Sequence, residues 1–515
     1  MSPRNLFRIA LALAALGWFG WTWYRGQHPQ AEDAGPRPRA AASHATPAAP
    51  PAPRKYGRIA FTPCTLAASM PGRPSVEAQC GSLRVAENPA QPQGRGIDLR
   101  IAWIPADDDA RLEPDPLFAI SGGPGESIVD GWPGMAAAFG EVLKTRNIVL
   151  VDQRGTGRSN PLRCDFGDLN DTSVQALVPA TQACRDALQQ RADLRFYGTS
   201  QAVADLDAVR QALGVDKLNL YGVSYGTRVA QQYAMRHPQR VRSIILDSVV
   251  PNTLTIGNIF ARNLDHALAL QFGRCSADPA CKAKLGDPRA ELDTLLATLR
   301  KAPPTVEYRD AATGETRSKV LTAGDVAGLV RMYAYMPTAS SLLPLLVHEA
   351  NQGRYGNLAA LGSMDMLQDA IAMGMQLSVI CSEDGDSLVA RDEDTDTVLG
   401  NALAEAMAAQ CKVWPKGAVP ADFRAPLRGS VPVLVLEGEY DPVTPPDYGR
   451  QVLQTLPNGR LLVLRGQGHA VFSAGCTPKL MTQFIDTADA RTLDAGCLQR
   501  LPYTPPFTSF NGWSP

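Results

Sequence analysis

The sequence carries almost no net charge, and it lacks the common motifs of nucleotide and metal binding. Lysine and arginine total 50 against 51 acidic residues, so no overall field favours nucleic acid or acidic lipid. The chain contains no C-x-x-C pair, no cysteine–histidine set at zinc-finger spacing, no P-loop and no G-x-G-x-x-G. We therefore expect no nucleic-acid partner, no metal and no other cofactor.

The N-terminal segment lacks an apolar run of the roughly 20 residues that a membrane-spanning helix needs. An uncharged apolar run of 16 residues, 9–24, follows Arg4 and Arg8 in the order of a signal peptide. Tryptophans near its end are typical of interfacial anchors, and no clean A-x-A cleavage site follows directly. Residues 1–25 are therefore either a cleaved signal peptide or an anchor that tethers the protein to the membrane through residues 9–24. Both alternatives predict an exported protein, periplasmic or secreted.

All ten cysteines lie beyond residue 60, in the part of the chain that would be exported. In an exported protein disulfide bonds are the default, and ten buried free thiols are the alternative. Closure of short loops suggests five bridges: Cys64–Cys80, Cys164–Cys184, Cys275–Cys281, Cys381–Cys411 and Cys476–Cys497.

Residues Gly222 to Gly226 fit G-x-S-x-G, the sharp strand-to-helix turn that exposes a serine Oγ at the end of a parallel sheet. The preceding segment, 217–221, has the length and apolar content of a buried strand. The following segment, 227–236, places apolar residues at the i,i+4 spacing of a helix face. Ser224 is therefore the predicted nucleophile, and an ordinary turn serine is the alternative.

A serine nucleophile needs a base, and the base needs an acid that orients it. In this type of turn-based site the chain order is serine, then acid, then histidine. Of the six histidines, only His469 lies in a small-residue loop directly after an apolar strand. Asp441 follows a predicted buried strand, 431–436, and Glu439 in the same loop is its competitor. We predict Asp441 and His469 as partners of the nucleophile, and a loop histidine without a catalytic role is the alternative.

Two backbone N–H groups are expected to form an oxyanion hole. One belongs to Tyr225, the residue after the nucleophile. The other is expected from the glycine turn, 122–125, which follows an apolar strand and lets the backbone approach an oxyanion closely. We predict the N–H of Gly123, because Pro124 has none. A tight loop without a catalytic role is the alternative.

With these motifs in this order, the chain resembles an α/β-hydrolase of the proline iminopeptidase and tripeptidyl aminopeptidase group of secreted exopeptidases. The resemblance spans roughly residue 57 to the C-terminus and includes the segment 151–159. In that segment the resemblance implies that Asp152 and Arg154 form a structural ion pair. Ser121 stands where proline iminopeptidases have a histidine before the glycine turn, and this chain is much longer. Both differences favour the tripeptidyl aminopeptidase-like branch over strict proline specificity.

The resemblance implies an α/β-hydrolase fold, with a mostly parallel central sheet flanked by helices and an inserted helical cap. Within it we predict a buried strand at 147–152, a helix at 201–213 ended by Gly214, and a strand at 241–250. The predicted organisation is an alanine- and proline-rich disordered linker at 26–56, the first part of the core at 57–251, the cap at 252–430 and the C-terminal part of the core at 431–515.

An exopeptidase must hold the free ammonium group of its substrate, and carboxylates in the cap are a natural means. The segment 379–386 places three acids behind an apolar stretch, and a disulfide at Cys381 would pin it. The resemblance to the tripeptidyl aminopeptidase branch, whose caps carry a similar Cys-x-Glu-Asp run, makes Glu383 the first choice and Asp384 the second. An acidic loop that binds nothing is the alternative.

The sequence thus predicts a serine exopeptidase that cleaves short N-terminal units, from an amino acid to a tripeptide, from peptide substrates through an acyl-enzyme. One alternative is an exported carboxylesterase with the same triad, because fold and triad do not determine the substrate. Another is a non-catalytic, envelope-tethered binding protein on a hydrolase scaffold. The presence of Ser224, Asp441 and His469 argues against that last alternative, since binding would not require all three.

Overall fold

The first described strand begins a few residues before the predicted start of the core. The computed structural model describes residues 53–68, 74–164, 166, 174–311, 313–362 and 370–512. The predicted signal peptide or anchor and most of the linker lie outside these ranges. The linker prediction is wrong at its end, because Arg54–Tyr56 form a strand. Arg54 and Tyr56 both pack on Trp103. The ring centroid of Trp103 lies 5.1 Å from that of Tyr56 and 4.8 Å from the Arg54 guanidinium.

Most of the strands belong to one large sheet. The strands are β1 Arg54–Tyr56, β2 Ile59–Leu66, β3 Val76–Ala86, β4 Gly96–Ile104, β5 Leu117–Ile120, β6 Ile148–Val151, β7 Leu218–Val223, β8 Val241–Asp247, β9 Thr305–Arg309, β10 Thr316–Val320, β11 Val433–Gly438 and β12 Gly459–Leu464. The sheet order over the described residues is β1-β2-β3-β4-β6-β5-β7-β8-β11-β12. Pairings from β1 to β6 are antiparallel, and those from β6 to β12 are parallel.

The parallel part of the sheet is covered on both faces, which explains its continuous apolar runs. Every residue of β5, β6, β7 and β11 is buried. Val229 and Tyr233 belong to one hydrophobic cluster, and Tyr221 and Phe484 belong to a second. The carboxyl ends of β7, β8, β11 and β12 lie side by side, so the loops that follow them meet at one edge of the sheet.

The helices flank the sheet and fill the insertion between β8 and β11. They are α1 Ile128–Gly131, α2 Gly140–Leu143, α3 Val174–Gln189, α4 Thr199–Leu213, α5 Tyr225–Arg236, α6 Phe260–Ala277, α7 Pro279–Leu285, α8 Pro288–Lys301, α9 Ala323–Ala334, α10 Pro337–Ser340, α11 Leu343–Asn351, α12 Gly356–Gly362, α13 Met373–Glu383, α14 Ala402–Val413, α15 Pro446–Leu453 and α16 Thr477–Thr487.

The predicted element boundaries lie within three residues of the observed ones. The helix predicted at 201–213 begins at Thr199 and ends where Gly214 adopts a left-handed φ of 72°. The strand predicted at 241–250 already ends at Asp247, because Ser248 has a φ of 60° and turns the chain.

The insertion has a hydrophobic core of its own. It lies in the range predicted as the cap and consists of helices α6 to α14 and the antiparallel hairpin of β9 and β10. Leu264, Leu295, Val330 and Val347 are members of its core cluster and come from four different helices. The hairpin adds a strand pair to a segment that the sequence predicts as helical.

The five predicted disulfide bonds are all present, and no cysteine is free. Each closes a short loop, with sequence separations from 6 to 30 residues. Disulfides of this number are compatible with an exported protein. In the described ranges, no helix is both long enough and apolar enough to cross a bilayer.

Asp152 and Arg154 are buried, but they do not pair with each other as the resemblance implied. Arg154 contacts Asp205 on α4, with Nη2 and Nε at 2.6 and 2.7 Å from the carboxylate oxygens. Asp152 accepts hydrogen bonds from the Ser127 hydroxyl at 2.6 Å and the Val129 N–H at 3.1 Å. Arg154 therefore ties the turn after β6 to α4, while Asp152 holds the start of α1.

Candidate active site

Ser224 lies at the turn between β7 and α5, with backbone φ 54° and ψ −125°. A residue other than glycine is strained in this region, and such strain clusters at functional sites. The flanking glycines permit it, because a Cβ on Gly226 would lie only 2.4 Å from the Ile120 carbonyl oxygen. A Cβ on Gly222 would lie 2.5 Å from the Gly226 carbonyl oxygen. The chain therefore forms the sharp turn that its G-x-S-x-G pattern predicts.

The glycine turn lies directly against Ser224. A methyl group on Gly122 would come within 3.0 Å of Ser224 Cβ. Gly123 has a φ of 99°, a region that favours glycine. Neither the Gly123 N–H nor the Tyr225 N–H donates a hydrogen bond to another of the described residues. An oxyanion hole requires backbone donors that are free to bind an oxyanion, and this role for the Gly123 and Tyr225 N–H groups stays a prediction.

His469 and Asp441 are joined by a hydrogen bond of 2.7 Å between Nδ1 and Oδ2. Three further donors hold the carboxylate. The N–H groups of Val443 and Thr444 reach Oδ1 at 2.8 Å each, and the Thr444 hydroxyl reaches Oδ2 at 2.9 Å. Because the imidazole donates from Nδ1, its Nε2 is left as the proton acceptor.

His469 and Asp441 each stabilise the charged form of the other. Burial lowers the pKa of His469, but the charge and hydrogen bond of Asp441 outweigh burial, so the pKa lies above its ordinary value. Burial raises the pKa of Asp441, but His469 and the backbone donors outweigh it, so this pKa lies below its ordinary value. Asp441 is thus ionised at neutral pH and favours an imidazolium on its partner.

The end of β8 connects the serine turn with the histidine loop. The Ser224 N–H donates to the Asp247 carbonyl oxygen at 2.9 Å. The next two backbone N–H groups after His469 donate to the Ser248 hydroxyl and to the Asp247 carboxylate, each at 2.9 Å. Both segments are therefore anchored to Asp247, and the histidine loop is also anchored to Ser248, a connection that sequence reasoning missed.

Two further buried acids lie close to the His469–Asp441 pair. Burial raises the pKa of Asp247 to about 6, although the hydrogen bonds from the Val471 N–H and the Tyr221 hydroxyl lower it. Burial and the charge of Asp441 raise the pKa of Glu437 well above its ordinary value, which favours the neutral form. In the sequence, Asp247 and Glu437 are recognisable as acidic residues inside or at the end of an apolar strand.

Among the described residues, no group of three or more histidine, cysteine or acidic side chains is arranged to hold a metal ion.

The competitor Glu439 is engaged away from the histidine. Its Oε2 accepts the Gly466 N–H at 2.7 Å, and its Oε1 accepts the Tyr503 hydroxyl at 3.3 Å. It thereby fixes the loop between β12 and His469. Of the two acids that the sequence left open, Asp441 is the one that the structure brings to the imidazole.

The cap touches the histidine loop through Tyr335, which follows α9. The His469 N–H donates to the Tyr335 carbonyl oxygen at 2.9 Å, and the two rings meet edge to face at 5.1 Å. A Cβ on Gly468 would lie 2.1 Å from the same oxygen, so the contact requires glycine there. No local pattern marks Tyr335, because the contact exists only after the insertion has folded onto the core.

The predicted ammonium-binding acids are buried at the end of α13. Asp384 accepts from Arg228 at 2.9 Å and from Arg424 at 2.8 Å, and it is only 1% exposed. Glu383 accepts the Thr199 N–H at Oε1 at 2.7 Å, while its Oε2 has no hydrogen-bond partner among the described residues. Burial raises the pKa of Glu383 to about 7, although the Arg228 charge lowers it. A role for either acid in binding substrate stays a prediction.

Comparison with known families agrees with this architecture. A family model described as alpha/beta hydrolase fold matches residues 115–325, which include Ser224. A second model, described as TAP-like protein, matches residues 396–497, which include Asp441 and His469. Together the two models cover more than half of the chain.

Curated relatives extend the similarity over most of the sequence. Serine protease Hip1 of Mycobacterium tuberculosis is 26% identical over 83% of this chain and 88% of that protein. Tripeptidyl aminopeptidase of Streptomyces coelicolor is 28% identical over 81% of each chain. Carboxylesterase B of Mycobacterium tuberculosis is 29% identical over 79% of this chain and 84% of that protein. The chain therefore has the α/β-hydrolase fold, carries a segment that matches the TAP-like protein family, and is a serine hydrolase.

Proposed function

We propose that this protein is an exported serine exopeptidase that releases short N-terminal units from peptides. The observation that carries the proposal is the 2.7 Å hydrogen bond between His469 and Asp441, anchored to the same strand end as the strained Ser224. In this proposal Ser224 is the nucleophile, His469 the general base and Asp441 the acid that orients it.

Acylation begins when Ser224 Oγ attacks the carbonyl carbon of the substrate. His469 Nε2 takes the hydroxyl proton, the Oγ–C bond forms, and the carbonyl electron pair moves onto oxygen. The N–H groups of Gly123 and Tyr225 stabilise that oxyanion, and Asp441 stabilises the imidazolium. Collapse breaks the C–N bond, and the imidazolium passes its proton to the departing amine. The N-terminal unit then remains as an ester on Ser224.

Deacylation repeats the same reaction steps with water as the nucleophile. His469 takes a proton from water as its oxygen attacks the ester carbonyl, and the oxyanion forms in the same hole. Collapse breaks the bond to Oγ, and the imidazolium returns its proton to Ser224. The released unit leaves with a new carboxyl group, and the enzyme is restored.

Peptide substrates are supported by the relatives named as a tripeptidyl aminopeptidase and a serine protease. A carboxylesterase with the same triad is the second candidate, supported by the relative named Carboxylesterase B. The five disulfides support action outside the cytoplasm, in the periplasm or the medium.

The test compares three substrate classes on the wild-type protein and on Ser224→Ala. Peptides with a free amine, the same peptides with an acetylated amine, and p-nitrophenyl esters are supplied at matched concentrations. The exopeptidase proposal predicts fastest cleavage of the free-amine peptides and a loss of several orders of magnitude in Ser224→Ala. Cleavage of esters alone would favour the carboxylesterase. Equal activity in Ser224→Ala would contradict the assigned nucleophile.

A further inference from the structure

Glu126 is a carboxylate beside the nucleophile to which the mechanism above gives no role. It follows the glycine turn, and its Oε2 accepts a hydrogen bond from the Ser121 hydroxyl at 3.0 Å. A methyl group on Gly122 would lie 3.0 Å from Ser224 Cβ and 3.4 Å from Glu126 Oε2. Only about the width of a methyl group therefore separates this half-buried carboxylate from the nucleophilic side chain.

The backbone of Glu126 is held between the core and the cap. Glu126 forms a β-bridge with Ile371, and the Ala372 N–H donates to the Gly125 carbonyl oxygen at 2.9 Å. A Cβ on Gly125 would lie 2.9 Å from the Ala372 carbonyl oxygen, so the contact is close. The carboxylate therefore has a defined position at the junction of the core and the cap.

The charge of Glu126 reaches the proposed catalytic base. Burial lowers the pKa of His469, and the charges that oppose burial and raise it are those of Asp441, Asp247 and Glu126. Glu126 thus lies close enough to His469 for its charge to act on the imidazole, in addition to lying beside Ser224.

Glu126 forms no ion pair within the described part of the chain, in contrast to Asp384, which is paired with Arg228 and Arg424. A fixed negative charge beside a developing oxyanion opposes the transition state. The opposition is removed if the substrate itself brings a positive charge to that point. The site is therefore suited to a cationic group next to the attacked carbonyl.

We propose that Glu126 binds the free α-ammonium group of the residue whose carbonyl Ser224 attacks. This rests on the proposed exopeptidase function and narrows it to the release of single amino acids. The α-nitrogen is separated from the attacked carbonyl carbon by one atom, so it reaches a carboxylate at this position. Each further residue moves the ammonium about 3.3–3.6 Å away, so a tripeptide unit would place it roughly 7 Å beyond Glu126.

The test measures kcat/KM of the full-length enzyme for alanyl-, Ala-Ala-Ala- and N-acetylalanyl-p-nitroanilide. Glu126→Gln removes the charge and keeps an acceptor for Ser121. We expect the alanyl to N-acetylalanyl ratio to fall about 10- to 150-fold, the value of a lost charged hydrogen bond. Glu405→Gln, an equal change of charge at an exposed position on α14, is the matched control and should keep the ratio.

An unchanged ratio in Glu126→Gln would overturn the inference. So would a loss of the ratio in Glu383→Gln instead, which would move the ammonium to the acid predicted from the sequence. Even if Glu126→Gln fails to fold, the wild-type enzyme tests whether single residues are released. Preference for the alanyl over the Ala-Ala-Ala substrate supports single-residue release, and the reverse preference contradicts it. Failure of the wild type on every substrate would instead contradict the proposed function itself, and the inference with it.

Discussion

Replacement of Asp441 by asparagine exchanges one carboxylate oxygen for an NH2 group. The two oxygens have different donors, so the asparagine has a preferred orientation. Oδ1 accepts the backbone N–H groups of Val443 and Thr444, each at 2.8 Å, and these cannot turn away. The asparagine oxygen should therefore occupy the Oδ1 position, and its NH2 group should face Nδ1 of His469.

An NH2 group at that position reverses the hydrogen bond to the imidazole. Nδ1 must accept, so the ring proton moves to Nε2, which can no longer take a proton from Ser224. The equivalent change in a serine protease with this triad lowers kcat about 10⁴-fold. We expect kcat/KM of Asp441→Asn to fall by about 10³–10⁴-fold. The lost charged hydrogen bond should also lower the free energy of unfolding by about 1.5–3 kcal/mol.

The assay is steady-state hydrolysis of one free-amine substrate, with thermal unfolding measured on the same preparations. Glu439→Gln is the matched control in the same loop, because Glu439 bonds to Gly466 and Tyr503 and not to the imidazole. Its kcat/KM should fall no more than a few-fold. The reasoning is refuted if Asp441→Asn keeps a tenth of wild-type activity, or if Glu439→Gln is the more damaging change.

Two further predictions concern protonation and oxidation. Because only neutral imidazole can act as the base and the pKa of His469 lies above its usual 6.5, kcat/KM should fall as the pH drops through a midpoint above 6.5. A pH profile with that midpoint well below 6 would contradict the His469–Asp441 pairing. Non-reducing digestion and mass mapping should recover five cross-linked peptide pairs, among them Cys381 with Cys411. Recovery of ten alkylatable thiols from native protein would contradict the bonded state.

The sequence predicted those features whose interacting residues are close together along the chain. The turn around Ser224 was predictable because strand, glycines and helix are contiguous, and the disulfides because each closes a short loop. Asp441 was separable from Glu439 only by a side-chain contact, since both follow the same strand.

Contacts between distant segments could not be predicted in this way. Tyr335 contacts His469 only because the insertion folds back on the core. Glu126 becomes a candidate binding residue only because the fold places it close to Ser224. Arg154 was recognised as structural, but its partner Asp205 lies on a helix that the local pattern does not connect to it. The acidic run at the end of α13 was visible, whereas its burial against Arg228 was not.

Covalent labelling with a fluorophosphonate probe tests the central claim most directly. The probe reacts with a serine only when a base activates it and an oxyanion hole receives the developing charge. We predict one adduct, mapped by mass spectrometry to the peptide that contains Ser224, and no adduct in a folded Ser224→Ala protein. Absence of labelling in the folded wild-type protein, or an adduct that persists in Ser224→Ala, would contradict the assignment of this site.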